Sequence, residues 1–168
     1  FYFTDQDIRA ISERVDDPDV VVDVRGKQWS WDFNYVNEDK YDLNVQVNLD
    51  GQEKSEAEMP TLYLPVNQTV ELQLNSRDVQ HSFWVPAFLQ KMDLYPGRTN
   101  YINLTPGVEG TYEGKCAELC GEYHSEMLFN VKVVSEAEYD QYLATLPDGQ
   151  VGSEYDRVYN SESSEVRR

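Results

Sequence analysis

Twelve residues from Cys116 to Met127, Cys-Ala-Glu-Leu-Cys-Gly-Glu-Tyr-His-Ser-Glu-Met, hold both cysteines of the 168-residue chain, one of its two histidines and one of its three methionines. Two thiolates, an imidazole and a thioether are soft ligands that suit copper better than magnesium or calcium, and zinc rarely uses a thioether. The other histidine, His81, stands thirty-five residues before Cys116. A single-copper electron-transfer site needs one cysteine, two histidines and a weak axial methionine, so one cysteine is left over. That surplus is informative. Two thiolates four residues apart can each bridge a pair of copper ions, so that each metal takes one imidazole and one weaker ligand. Shared sulfur lets one unpaired electron spread over both metals, which keeps bond lengths nearly constant as the electron comes and goes. The short spacers fit a turn that returns Cys120, His124 and Met127 toward Cys116.

Three other chemistries compete for these residues. A structural zinc site made by His81, Cys116, Cys120 and His124 has the right ligand count but leaves Met127 without a role. A Cys116–Cys120 disulfide is open to an exported chain. Hydrolysis fits poorly, because no serine or cysteine keeps a histidine for a base once both histidines are ligands.

The elements that must position this loop are short strands. Val20 to Val24 reads as a strand that Gly26 breaks. In Gln28-Trp29-Ser30-Trp31-Asp32-Phe33-Asn34-Tyr35 the aromatics fall on alternate residues and therefore share one strand face, the pattern of a core. Tyr41, Leu43, Val45, Val47 and Leu49 alternate as a further strand closed by Asp50-Gly51, and residues 52–58 form a polar loop. Leu62 to Leu64, Val70 to Leu74, Val79 to Val85, Tyr101 to Leu104 and Leu128 to Val134 continue the series, with Pro65, Pro86, Pro96-Gly97 and Pro106-Gly107 between them. Tyr112 leads into Cys116. Many short strands separated by Gly and Pro predict an all-β fold, an antiparallel sandwich or barrel.

The ends differ. Thr4 and Asp7 resemble a helix cap, with Ile8, Ile11 and Val15 on one face of a short helix that Asp16-Asp17-Pro18 ends. Ser135 and Glu138 form a capping box, and Tyr139, Tyr142, Leu143 and Leu146 have the spacing of a helix laid on the sandwich, stopped by Pro147. Residues 150–168 lack periodicity and read as a mobile tail pinned by Tyr155, Val158 and Tyr159. The expected organisation is a stub over 1–18, a copper-binding β-domain over 19–134, and a C-terminal helix with an acidic tail over 135–168.

Composition bounds the partners. With 31 acidic against 14 basic residues the net charge is −17, which excludes a phosphate-binding, nucleic-acid role. Apolar alternation argues against disorder for most of the chain. A halophilic source, whose carboxylate surface keeps the protein soluble in strong salt, accounts for the acidity. No run of eighteen apolar residues occurs, yet Phe1-Tyr2-Phe3 is an aromatic cluster of the kind found where a membrane helix leaves the bilayer.

The combined motifs resemble subunit II of cytochrome c oxidase over roughly residues 20 to 146. They are the Cys116-to-Met127 loop, Asp78-Val-Gln-His81-Ser-Phe, Lys91-Met-Asp-Leu-Tyr-Pro96-Gly97-Arg98 and Gln28-Trp29-Ser30-Trp31. The resemblance implies a cupredoxin-like Greek-key β-barrel carrying a dinuclear copper A (CuA) centre on the extracytoplasmic face of the cell membrane. By that likeness His81, Cys116, Cys120, His124 and Met127 are side-chain ligands, Glu118 contributes its backbone carbonyl, and the Glu118 carboxylate reaches a magnesium or manganese ion shared with subunit I. Electrons arrive from a soluble donor, cytochrome c or a blue-copper protein, through Trp29. They pass to haem in subunit I, where oxygen is reduced to water; the isolated domain is a relay without catalysis of its own. Trp31 is assigned to packing, Asp93 to the polar region facing subunit I, and Arg98 to a loop anchor or an acid partner. The paired membrane helices that precede the family's copper domain are missing from the sequence. The copper domain of nitrous oxide reductase shares the ligand set but is normally attached to a β-propeller, and no propeller repeat occurs here. Quinol-oxidase relatives lose the copper ligands, and this chain keeps all of them.

Overall fold

The computed structural model describes residues 12–44 and 59–151, together with the backbone of 166–167. Among the described residues the strands are β1 (Val20–Lys27), β2 (Ser30–Tyr35), β3 (Lys40–Asp42), β4 (Thr61–Pro65), β5 (Val70–Ser76), β6 (His81–Val85), β7 (Gln90–Leu94), β8 (Asn100–Leu104), β9 (Gly110–Cys116), β10 (Leu128–Val134), β11 (Gln150–Val151) and β12 (Val166–Arg167), and the α-helix described in full is α1 (Glu136–Thr145). Strands β1 to β10 form two five-stranded sheets, in the orders β3-β2-β1-β5-β8 and β4-β10-β9-β6-β7, and β11 pairs with β12 in a two-stranded sheet. Most pairs are antiparallel, but β1 runs parallel to β5 and β10 parallel to β4. The expected all-β sandwich is present, and these two parallel pairs are its departure from antiparallel pairing, because distant strands meet at both positions and sequence spacing does not specify their direction.

Alternation fills the space between the sheets. Val22, Val24, Trp31, Phe33, Leu72 and Leu74 are fully buried, as are Leu62, Leu64 and Val131 of the opposing sheet. Trp31 and Phe33 meet Phe129 at ring separations of 5.0 and 6.5 Å, so β2 is packed onto β10 by aromatic edges. The polar side of β2 is buried too. Asp32 accepts from Lys27 Nζ at 2.7 Å, Arg77 at 3.1 Å and the Asn44 backbone N–H at 3.0 Å, so a charge with no exposed surface is compensated.

Several boundaries differ from the sequence reading. β1 continues through Gly26 to Lys27. A Cβ at Gly26 would lie 3.0 Å from the His81 ring, so the glycine permits close packing there instead of ending the strand. The strand expected over Tyr41 to Leu49 is described as β3, Lys40–Asp42, which ends before Leu43 and Asn44; residues 45–58, with Asp50-Gly51 and the expected polar loop, lie outside the described residues. β7 lies where a loop was expected, paired with β6. The N-terminal helix expectation lies mostly outside the described residues, as do Phe1 to Phe3; Val15, described, is exposed and not helical. Helix α1 forms as its capping box requires: the Ser135 hydroxyl accepts from the Glu138 N–H, Tyr139 and Leu143 are buried, and Tyr142 stacks on Tyr63 at 3.7 Å. The expected tail is pinned at its start by Val151, whose N–H donates to Asn34 Oδ1 at 2.7 Å and whose carbonyl accepts from Asn34 Nδ2 at 3.1 Å. Tyr155, Val158 and Tyr159 lie outside the described residues. Among the described residues no helix is long and apolar enough to cross a membrane.

Candidate metal centre

His81 opens β6 and Cys116 closes β9, and these two strands pair antiparallel. The strand ends therefore place an imidazole and a thiol side by side, with Cys116 Sγ 3.8 Å from His81 Nδ1. The loop beyond Cys116 folds back through backbone bonds that need no metal. Cys116 N–H donates to Met127 O at 3.0 Å, Ala117 N–H to Ser82 O at 3.0 Å, and His124 N–H to Gly121 O at 3.2 Å. Gly121 has φ +121°, a conformation that glycine adopts without a Cβ penalty.

The sequence-derived ligands come together around the two sulfurs. Cys120 Sγ lies 3.9 Å from Cys116 Sγ, 3.4 Å from His124 Nδ1 and 3.8 Å from Met127 Sδ. The Glu118 carbonyl oxygen lies 3.2 Å from Cys116 Sγ. His81, Cys116, Cys120 and Met127 are buried, and His124, half-buried, is the ligand nearest solvent. Both cysteines are free thiols, which removes the disulfide alternative in this structure. Disulfide sulfurs sit about 2.05 Å apart, whereas metal–thiolate bonds of about 2.3 Å fit on either side of the 3.9 Å gap seen here. The donor set thus fits a sulfur-bridged metal centre, and a buried thioether among the donors matches copper better than zinc.

The electrostatics are those of a pair sharing one proton. Contact with the Cys120 thiol, helped by His81 and the Glu118 and Ser82 backbone, holds Cys116 well below the ordinary thiol range, and the same contact with burial pushes Cys120 upward. Burial pulls the His81 imidazole down, but Asp78 Oδ1 at 2.7 Å from Nε2, with Cys116 on the other side, outweighs it and the net shift is upward.

The remaining sequence candidates fall into place around this core. Trp29 is half-buried, its Nε1–H donating to the Cys120 carbonyl at 3.2 Å and its ring meeting Tyr123 edge-on at 4.9 Å. Trp31 is fully buried, and its Nε1–H points to Met127 O at 3.4 Å, in keeping with packing. Asp93 Oδ2 accepts from Gln80 and from the Tyr95 hydroxyl, and Arg98 lies over the Tyr95 ring. Sequence reasoning missed Gln28 and Asp78 as supports of the ligands. The available signal was an aspartate three residues before His81. A groove of about 430 Å³, lined in part by Met59, Pro86, Glu113, Lys115, Leu128 and Asn130, contains none of the five ligand side chains.

The description "Cytochrome C oxidase subunit II, periplasmic domain" matches residues 20–134. The chain belongs to the cytochrome c oxidase subunit II family. It is 45% identical to the probable cytochrome c oxidase subunit 2 of Streptomyces avermitilis, over 90% of this chain and 57% of that protein. For the probable subunit 2 of Streptomyces coelicolor the identity is 41%, with the same coverage. The chain thus spans a little over half the length of these subunit II relatives. The crystal structure of the periplasmic domain of subunit II of cytochrome oxidase from Bradyrhizobium japonicum superposes with a TM-score of 0.65 at 29% identity, covering 79% of this chain and 96% of that one. The subunit II fold and the cupredoxin-like sandwich derived above are therefore the same architecture.

Proposed function

We propose that this chain is the electron-accepting domain of a haem-copper terminal oxidase. It lies on the extracytoplasmic face of the cell membrane, takes single electrons from a soluble donor, cytochrome c or a blue-copper protein, and passes them to haem in subunit I for reduction of oxygen to water. The supporting observation is the convergence of His81 and the Cys116-to-Met127 loop on two sulfurs 3.9 Å apart. His81, Cys116, Cys120, His124 and Met127 would hold the metal pair by side chains and Glu118 by its carbonyl. A copper pair held by these residues would supply a one-electron store.

The chain's own residues do the rest. β6 and β9 fix His81 and Cys116 on the sandwich, and the backbone bonds of the loop hold the other donors with little freedom to rearrange. Burial of four of the five ligand side chains excludes water from the sulfurs. Trp29 joins the surface to the Cys120 carbonyl through its indole N–H, which favours it as the point where electrons arrive. The Glu118 carboxylate lies within electrostatic reach of Tyr95, in a polar region with Asp93, and is the group we assign to a magnesium or manganese ion shared with subunit I. The nitrous oxide reductase alternative ranks lower because the relatives reported above are oxidase subunits. A structural zinc site ranks lower because Met127, with no exposed surface, lies 3.8 Å from Cys120 Sγ.

Stopped-flow reduction of copper-loaded protein by a soluble donor, across a salt series, tests the route. Trp29→Ala is expected to slow reduction at every salt concentration. The effect should persist at about 1 M salt, where the Debye length is about 3 Å and long-range steering is lost. Equal rates for the variant and the native chain would remove Trp29 from the path.

A further inference from the structure

A continuous hydrogen-bonded strap runs behind the donor set and ties two of its members together. Asp78 Oδ1 lies 2.7 Å from His81 Nε2 and also accepts from the Val79 N–H at 2.6 Å. Asp78 Oδ2 accepts from the Gln28 backbone N–H at 2.6 Å. The Gln28 side chain then reaches the other way, its Nε2 donating to the Cys120 carbonyl at 2.7 Å. His81, on β6, and Cys120, in the loop after β9, are thereby connected through two residues that carry no soft ligand atom. Two glycines make room for the strap. A Cβ on Gly26 would meet the His81 ring at 3.0 Å, and one on Gly121 would meet Gln28 Nε2 at 3.0 Å.

We propose that Asp78 and Gln28 are positioning residues that set the His81 and Cys120 donors in place before metal binds. The inference rests on the copper reading above and deepens it. Its physical content is twofold. A carboxylate at Nε2 requires the neutral imidazole to carry its proton there, which turns the bare Nδ1 toward the Cys116 sulfur 3.8 Å away. The Gln28 amide fixes the Cys120 peptide, so the backbone carrying that sulfur cannot swing away from His81. Arg77 N–H donates to Gly26 O at 2.9 Å and Asp78 N–H to Ser76 Oγ at 3.2 Å, so the residues bearing the strap are themselves anchored on β1 and β5. Outer partners of metal-binding histidines typically matter about 10- to 100-fold in metal affinity when lost.

The test uses the 168-residue chain and the variants Asp78→Ala and Gln28→Met, the second keeping the length of the side chain while removing its N–H donors. ¹⁵N NMR of the metal-free protein reads the His81 tautomer. The native chain should carry the proton on Nε2, and Asp78→Ala should lose that preference. Copper titration with electron paramagnetic resonance is the second readout. Gln28→Met should bind copper about 10- to 100-fold more weakly and show an altered hyperfine pattern, while its circular dichroism matches the native chain. A folded Gln28→Met with native copper affinity and native hyperfine pattern overturns the proposal, as does an unchanged His81 tautomer in Asp78→Ala. If Asp78→Ala does not fold, Gln28→Met decides. If the native chain takes up a single copper, the dinuclear reading fails, and the metal-free His81 signal still decides the strap.

Discussion

Cys116 and Cys120 carry the same side chain four residues apart, yet their surroundings treat them in opposite ways. Cys116 ends a strand against His81 and backbone N–H groups and is held as the more acidic thiol, whereas Cys120 in the loop keeps the shared proton. Both were legible as ligands because two thiols, an imidazole and a thioether crowded into twelve residues form a ready set of soft metal donors. Gln28 and Asp78 were not, because their roles arise from contacts ninety-two and three residues away in the chain that only the folded backbone brings together. A similar device sits far from the metal loop. Asp19 Oδ2 accepts from both the N–H and the hydroxyl of Thr69, at 2.7 and 2.6 Å, clasping the start of β1 to the start of β5. The Thr69 hydroxyl and backbone bonds hold the Asp19 carboxyl below its ordinary 3.8. A depressed folded value means that the clasp contributes fully above the ordinary carboxyl range and is lost as pH falls through the depressed value. Asp19→Asn is expected to flatten that acid limb of the stability–pH curve, measured by urea denaturation between neutral pH and pH 3; an unchanged limb would show that the clasp is idle.

At the scale of elements, β2 carries the greatest burden. Its aromatic face was legible from alternation, and Trp31, Phe33 and Tyr35 are all fully buried. Alternation says nothing of where its polar face goes: Asp32 has no exposed surface and joins Lys27 of β1 to Arg77 beyond β5. Breaking such a buried pair leaves uncompensated cations. Asp32→Ala is therefore expected to cost about 3–5 kcal/mol, measured as a lower urea midpoint with an unchanged slope; a loss below about 1 kcal/mol, the scale of a surface pair, would mean that Lys27 and Arg77 find water. β10 was legible end to end, because valines and Phe129 alternate with polar residues and Ser135 caps the helix that follows. β7 was not. It is an edge strand with one partner, and Gln90-Lys-Met-Asp-Leu has only Leu94 fully buried, too little alternation to distinguish it from a loop.

The whole molecule combines a sandwich of ordinary core with a net charge of −17. Most strands of the two large sheets were readable from their punctuation, β7 excepted, whereas the parallel contacts of β1 with β5 and β4 with β10 depend on pairing across long connections and leave no local mark. Like charge spread over the surface opposes the compact state until salt screens it. The thermal midpoint is therefore expected to rise with added sodium chloride, steeply if the source is halophilic; a midpoint independent of salt would show that the carboxylates are spaced widely enough not to matter. The same salt leaves the buried sulfurs untouched, so metal chemistry and solubility are separable properties of one domain. The most direct measurement is copper stoichiometry with electron paramagnetic resonance on the purified chain. Two coppers per molecule and a hyperfine pattern from one electron shared equally by two nuclei are the expected result, and a single copper at saturation, or a pattern from one nucleus, would contradict the dinuclear centre.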